Sequence, residues 1–176
     1  MRAASIATLC VCLCCCLVNA DEWKPWDRFT SEEGRFSATF PVRPKVTKDN
    51  NGKIDTLQVS AKGAVDAEYM VFTAAIPALG EPLAILAKFV GGAFPKEAKD
   101  KVEIEQGGHK GYEIASEKMT ADKARVFARS RVFYVDGRVY QVTSGSGTKP
   151  GVERLTDEQK ADEKKFLDSF QITKGK

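Results

Sequence analysis

Two β-rich runs, Arg125 to Val135 and Arg138 to Thr143, are separated only by Asp136-Gly137. A two-residue connection of this kind is a type I′ hairpin, because both central residues need positive φ, which glycine accepts freely and aspartate tolerates. The register follows. Val135 faces Arg138, Phe133 faces Tyr140 and Arg131 faces Val142 on one side of the ribbon, while Tyr134 faces Val139 and Val132 faces Gln141 on the other. Bulky side chains on both faces imply that both are covered, which puts the hairpin at the centre of a sheet.

Other segments arrange themselves around it. Arg35 to Phe40 alternates polar and apolar between Gly34 and Pro41, as a strand with one buried face does. Asp49-Asn50-Asn51-Gly52 supplies turn chemistry and Leu57 to Ala61 alternates after it, giving a hairpin turn and its second strand. Glu68 to Ile76 is apolar on both faces and ends at Pro77, the pattern of a strand inside a sheet. A helix is predicted from Pro82, with Leu83, Leu86, Ala87 and Val90 at three- and four-residue spacing and Gly91-Gly92 ending or weakening it. Short strands are expected over Val102 to Glu105 and Tyr112 to Ser116, joined by a turn from Gly107 to Gly111. After a loop from Ser144 to Arg154, Thr156 with Gln159 forms a capping box, and Asp157 and Glu158 complement the positive helix end. Phe166, Leu167 and Phe170 are that helix's apolar stripe, and Phe170-Gln171-Ile172 leads into a closing edge strand.

These elements define an α+β chain: an antiparallel β-sheet flanked by helices on both faces. The stretches Gly34 to Pro41, Val132 to Val142 and Phe166 to Phe170 resemble landmarks of small exported bacterial proteins with a PsbP-like sandwich. The resemblance covers about a quarter of the chain beyond residue 20 and includes no catalytic motif. It implies a binding or assembly factor rather than an enzyme, and it does not carry the photosystem role with it, since fold likeness alone does not specify function.

The first twenty residues read as a cleavable secretory signal. Arg2 precedes an apolar run from Ile6 to Val18, too short to span a bilayer, and Val18-Asn19-Ala20 offers small residues where a signal peptidase cuts. Cleavage after Ala20 leaves residues 21–176 as one domain, secreted or periplasmic and without a membrane span. All five cysteines, at positions 10, 12, 14, 15 and 16, leave with the signal, which excludes a disulfide framework from the mature chain. Cys16 follows Cys15 and Cys10 follows Leu9, so neither has the small residue that lipid attachment requires. The 27 basic side chains, one fewer without Arg2, barely exceed the 24 acidic ones and are interspersed with them. That balance gives no reason to expect nucleic-acid binding.

Few catalytic or metal-binding sets are open to this composition. With His109 the one histidine and no cysteine past residue 16, a histidine-rich zinc site and a cysteine nucleophile are both excluded, and no cofactor is expected. His109 itself reads as a solvated turn residue. Gly145 to Gly151 lacks the Gly-Lys-Ser/Thr ending of a phosphate loop, because Pro150 follows Lys149, and its composition suits a flexible connector. Asp49 to Gly52 lacks the ligand spacing of a calcium loop.

One constellation remains. Alternation puts Arg125, Phe127, Arg129, Arg131 and Phe133 on one strand face, with Arg138 and Tyr140 opposite. Arg129, Arg131 and Arg138 are therefore the candidate contacts for an anion or a partner. The competing reading, usual for strand arginines in sandwiches, is that they pair with helix carboxylates and cover apolar surface with their stems. The function expected is a non-enzymatic exported domain that binds a protein or a cell-envelope component. The alternative is a small-ligand carrier or a metal-independent hydrolase built from carboxylates and arginines.

Overall fold

A computed structural model describes residues 22–50, 54–64, 66–76, 81–94 and 99–174. The proposed signal, its cleavage point, Asn51, Gly52 and Pro77 lie outside the described residues.

The chain forms β1 (Asp27–Ser31), β2 (Phe36–Phe40), β3 (Lys45–Asn50), β4 (Asp55–Lys62), β5 (Ala67–Ala75), α1 (Pro82–Ala93), β6 (Lys99–Gln106), β7 (His109–Met119), β8 (Arg125–Val135), β9 (Arg138–Gly147), α2 (Asp157–Ser169) and β10 (Gln171–Ile172). Seven strands make an antiparallel sheet in the order β3-β4-β5-β9-β8-β7-β6, so the β8–β9 hairpin sits at its centre. Asp136 and Gly137 have φ of 49° and 74°, and all five expected cross-strand pairs form in the expected register.

The early strand belongs elsewhere. Phe36–Phe40 was expected to lead into the turn before Leu57, but it pairs with β1 and β10 in a separate three-stranded sheet. The strand that precedes the turn is β3, exposed at all six positions. Its sequence, Lys-Val-Thr-Lys-Asp-Asn, buries no face and therefore leaves no apolar alternation to read. β10 does lie at an edge, against Ser37 and Phe36 of β2.

Three boundaries also move, each for a physical reason. Gly107 and Gly108, with φ of 60° and 80°, close the β6–β7 turn by themselves, so pairing resumes at Gln106 and His109 and the five-residue turn shrinks to two. His109 consequently opens a strand. Gly91 and Gly92 lie within α1, which runs to Ala93 because Leu86 and Val90 are held in the core and the Phe94 N–H still reaches the Val90 carbonyl at 3.1 Å. Tertiary packing outweighs the helix cost of about 1 kcal/mol per glycine. β9 continues to Gly147, where a connector was expected from Ser144. Ser144 and Ser146 are buried, paired with β5 on one side and β8 on the other. Small residues in a central strand mark close approach of another element, here α2, whose Gln159 Nε2 donates to the Gly147 carbonyl at 3.2 Å.

Two apolar clusters result. Leu86 and Val90 of α1 pack with Ile114, Val132, Tyr134 and Val139. Phe166 and Leu167 of α2 and the adjoining Phe170 pack with β2, β4, β5, Phe133, Tyr140 and Val142. Aromatic contacts bind the second cluster. Phe166 meets Phe40 and Tyr69 at centroid distances of 5.3 and 5.1 Å, and Phe170 stacks on Phe133 at 5.9 Å. Trp26 closes it with an edge contact to Tyr69, beneath the ammonium of Lys165.

Candidate functional site

The capping box expected at Thr156 and Gln159 starts α2, and the helix then packs against β2 and β9, close enough for long side chains of β8 to reach it. Glu163 lies one helical turn before Phe166 and Leu167, so its carboxylate is carried inward and is only 8% exposed. Arg129 meets it. Arg129 Nε donates to Glu163 Oε1 at 2.8 Å and Arg129 Nη1 to Glu113 Oε1 at 2.7 Å. Arg131 Nε donates to Glu113 Oε2 at 2.8 Å, and its Nη1 reaches Asp168 Oδ1 at 2.8 Å and Gln106 Oε1 at 3.0 Å. Gln106 in turn donates to the carbonyls of Leu167 and Phe170 at 3.0 Å each, satisfying the end of α2. One connected seam thus joins β6, β7, β8 and α2.

Arg129 and Arg131 therefore occupy the pairing role with helix carboxylates. Arg125 pairs instead with a strand carboxylate, Glu117 of β7. Arg138 stands apart, since its Nη1 donates only to the hydroxyl of Thr73, at 3.2 Å, and no carboxylate pairs with it among the described residues. Glu113, Glu163, Asp168 and Gln106 were not identified from sequence. Glu163 left a trace, a carboxylate at helical spacing from Phe166, Leu167 and Phe170, which calls for a buried partner.

The seam's charges are unequally placed. Burial raises the Glu113 pKa, but hydrogen bonds from Arg131 and Arg129 outweigh it and hold the group below the ordinary carboxylate range. Asp168 is likewise lowered, with bonds from Lys164 and Arg131 overcoming burial. Glu163 goes the other way, because burial, reinforced by the charge of Glu113, outweighs the lowering by Arg129 and Arg131. Burial lowers the pKa of Arg129, yet Glu113 and Glu163 together raise it. The two ends of the Arg129–Glu163 pair thus differ in what ionisation is worth. Arg129 has two carboxylates and is the more exposed, so burial decides the balance at Glu163.

The sign of the pH dependence follows from linkage. Glu113 and Asp168 contribute stability that is present at neutral pH and lost as pH falls through their lowered values. Glu163 contributes stability that is present in acid and lost as pH rises through its raised value. Glu163→Gln should accordingly match or exceed the wild type in urea midpoint at pH 7 and show no advantage at pH 4. Glu113→Gln should destabilise at pH 7 by about 1–3 kcal/mol, the usual loss for a charged hydrogen-bonding partner. A Glu163→Gln midpoint well below wild type at pH 7 would contradict this assignment.

The clefts beside the seam are open. One of about 360 Å³ is bounded by Glu113, Arg129, Arg131, Lys160 and Glu163, and another of about 360 Å³ by Ile104, Gln106, Arg131 and Asp168. Tyr69, pushed up to about 12 by burial and by Asp162 and Glu163, keeps its proton at neutral pH. Among the described residues, no group of three or more histidine, cysteine or acidic side chains gathers as a metal site. No described helix is long and apolar enough to cross a membrane.

The fold class defined by this sheet and its two helices is α+β of the PsbP kind. The solved structures similar to it include cyanobacterial PsbP from Synechocystis, at 14% identity and a TM-score of 0.56, covering 87% of this chain and 95% of that one. A Bacteroides thetaiotaomicron protein aligns at 8% identity and a TM-score of 0.51, covering 84% of this chain but 48% of its own. The chain therefore spans about half the length of that neighbour. At these identities the likeness is one of fold. No protein-family model matches, and no curated protein matches.

Proposed function

We propose that residues 21–176 form one exported, non-enzymatic domain that binds another protein or a cell-envelope component, released from its signal after Ala20. The observation that carries this reading is the seam itself. Its arginines and carboxylates are bonded to one another beside open clefts, whereas acid–base or nucleophilic chemistry needs ionisable groups free to meet a substrate. The PsbP-like fold supports it by analogy. In this reading α1 and α2 cover opposite faces of the sheet. Val132 and Tyr134 pack with α1 while the alternate residue Phe133 packs with α2, as side chains on opposite faces of one strand do.

Pull-down from the envelope fraction tests binding, and a broad hydrolase screen tests the rival class. A captured partner without turnover is the expected result. Turnover with no partner recovered would overturn the reading in favour of a metal-independent hydrolase. Mass spectrometry of the exported protein should find Asp21 first and no thiol, and a lipid-modified N-terminal cysteine would refute the cleavage assignment.

A further inference from the structure

Arg138 opens onto a cleft remote from the seam. It has a volume of about 440 Å³, and its walls include Arg35, Lys174, Thr30 and Thr173. We infer that this cleft, between the three-stranded sheet and the tip of the central hairpin, is a binding site for a carboxylate or phosphate group held by Arg35 and Arg138. The inference does not depend on whether the domain is an enzyme.

Three observations support it. First, Arg138 differs from the other arginines of its ribbon face. Arg125, Arg129 and Arg131 each meet at least one carboxylate, while Arg138 has only the neutral hydroxyl of Thr73, itself fully buried. A guanidinium retains donors for a further acceptor when a single one is used, and its fork suits the paired oxygens of a carboxylate or phosphate.

Second, Arg35 occupies a backbone position unsuited to it. Its φ is 55°, in the left-handed region that favours glycine, directly after Gly34. The conformation is fixed from both sides. The Arg35 N–H donates to the Glu32 carbonyl at 3.2 Å, and the Arg35 carbonyl accepts from the Thr173 N–H at 2.9 Å. An exposed arginine with no carboxylate paired to it among the described residues, held at this strained position, is better explained by what its side chain reaches than by stability.

Third, Arg35 and Arg138 line one cleft although they come from distant parts of the chain. Burial raises the pKa of Tyr140, and the charges of Arg138 and Arg35 both oppose that rise. Thr30 and Thr173 add hydroxyl donors to the wall, and Lys174 a third cation. The cleft also carries two carboxylates. Glu33 is already bridged to Lys48, and Glu32 shares the same lip, so the cations outnumber the acids.

Titration calorimetry of the purified protein with inorganic phosphate and, separately, with succinate tests the site and tells the two acceptor chemistries apart. Saturable binding of at least one anion is expected. Arg138→Gln and Arg35→Gly should each weaken it about tenfold or more, the equivalent of one charge-assisted contact, while Arg125→Gln should leave it unchanged. Arg35→Gly guards against misfolding, since glycine suits φ of 55° and its urea midpoint should equal or exceed that of the wild type. Absence of saturable binding by both anions, or binding that survives both substitutions, would overturn the proposal.

Discussion

Gly111→Ala should lower the free energy of unfolding by about 3 kcal/mol, the upper part of the range for forcing volume into a packed interior. Gly111 lies in β7, opposite Phe133 of the central hairpin. A Cβ there would stand 2.3 Å from the Val132 carbonyl oxygen and 2.7 Å from the Phe133 ring. Neither can yield cheaply. The carbonyl belongs to the backbone of a central strand, and the ring is buried and stacked on Phe170. Relief would require β7 and β8 to separate locally, disturbing the register that brings Glu113 opposite Arg131. Gly92→Ala provides the control of opposite sign. A Cβ there meets nothing within 4 Å, so helix propensity alone should raise stability by about 0.5–1 kcal/mol. Urea midpoints for the two variants measure both effects, and a harmless Gly111→Ala would mean that β7 and β8 are not paired as described.

Gly137→Val should cost about 1–3 kcal/mol, the range for holding a residue in a sparsely populated backbone region. Space is not the obstacle, because the nearest atom to a Cβ at Gly137 is the Ile76 carbonyl oxygen at 3.8 Å. Conformation is. Gly137 has φ of 74°, which β-branched residues resist, and its own carbonyl accepts from the Ile76 N–H at 2.8 Å, tying the tip to the chain just beyond β5. Asp136→Asn should be nearly silent, since asparagine suits the same turn. Equal urea midpoints for Gly137→Val and Asp136→Asn would remove the turn assignment and the register that depends on it.

The parts of the fold visible in the sequence are those where one local rule acts alone. Asp136-Gly137 admits few turn types, and Thr156 with Gln159 caps a helix start with two hydrogen bonds that are both present. β1 and β3 were missed because Phe29 is the one apolar residue that β1 turns inward and β3 turns none inward, so pairing with a neighbour, not periodicity, makes them strands. Ser144 to Gly147 was misread because serine and glycine serve a linker and a strand beneath a crossing helix equally well. The arginine face was legible as a face, for alternation alone fixes which side chains share it. Its partners were not. Glu113, Glu163 and Asp168 come from a neighbouring strand and a distant helix, and only the tertiary structure decides which carboxylate meets which guanidinium. The same limit hid the cleft at Arg138, which depends on Arg35 and Lys174 arriving from the two ends of the described chain.

The ribbon's arginines divide between two roles, with Arg129 and Arg131 holding α2 to the sheet and Arg138 proposed to hold a ligand. Arg131→Ala separates the two roles, by urea unfolding and by titration of the same preparation with whichever of phosphate and succinate the wild type binds. Arg131 is largely buried, with three acceptors on β6, β7 and α2, so its loss should lower stability by about 1–3 kcal/mol. Affinity for that anion, measured well below the unfolding transition, should stay at the wild-type value. An unchanged urea midpoint together with lost anion binding would reverse that division and make the seam the binding site.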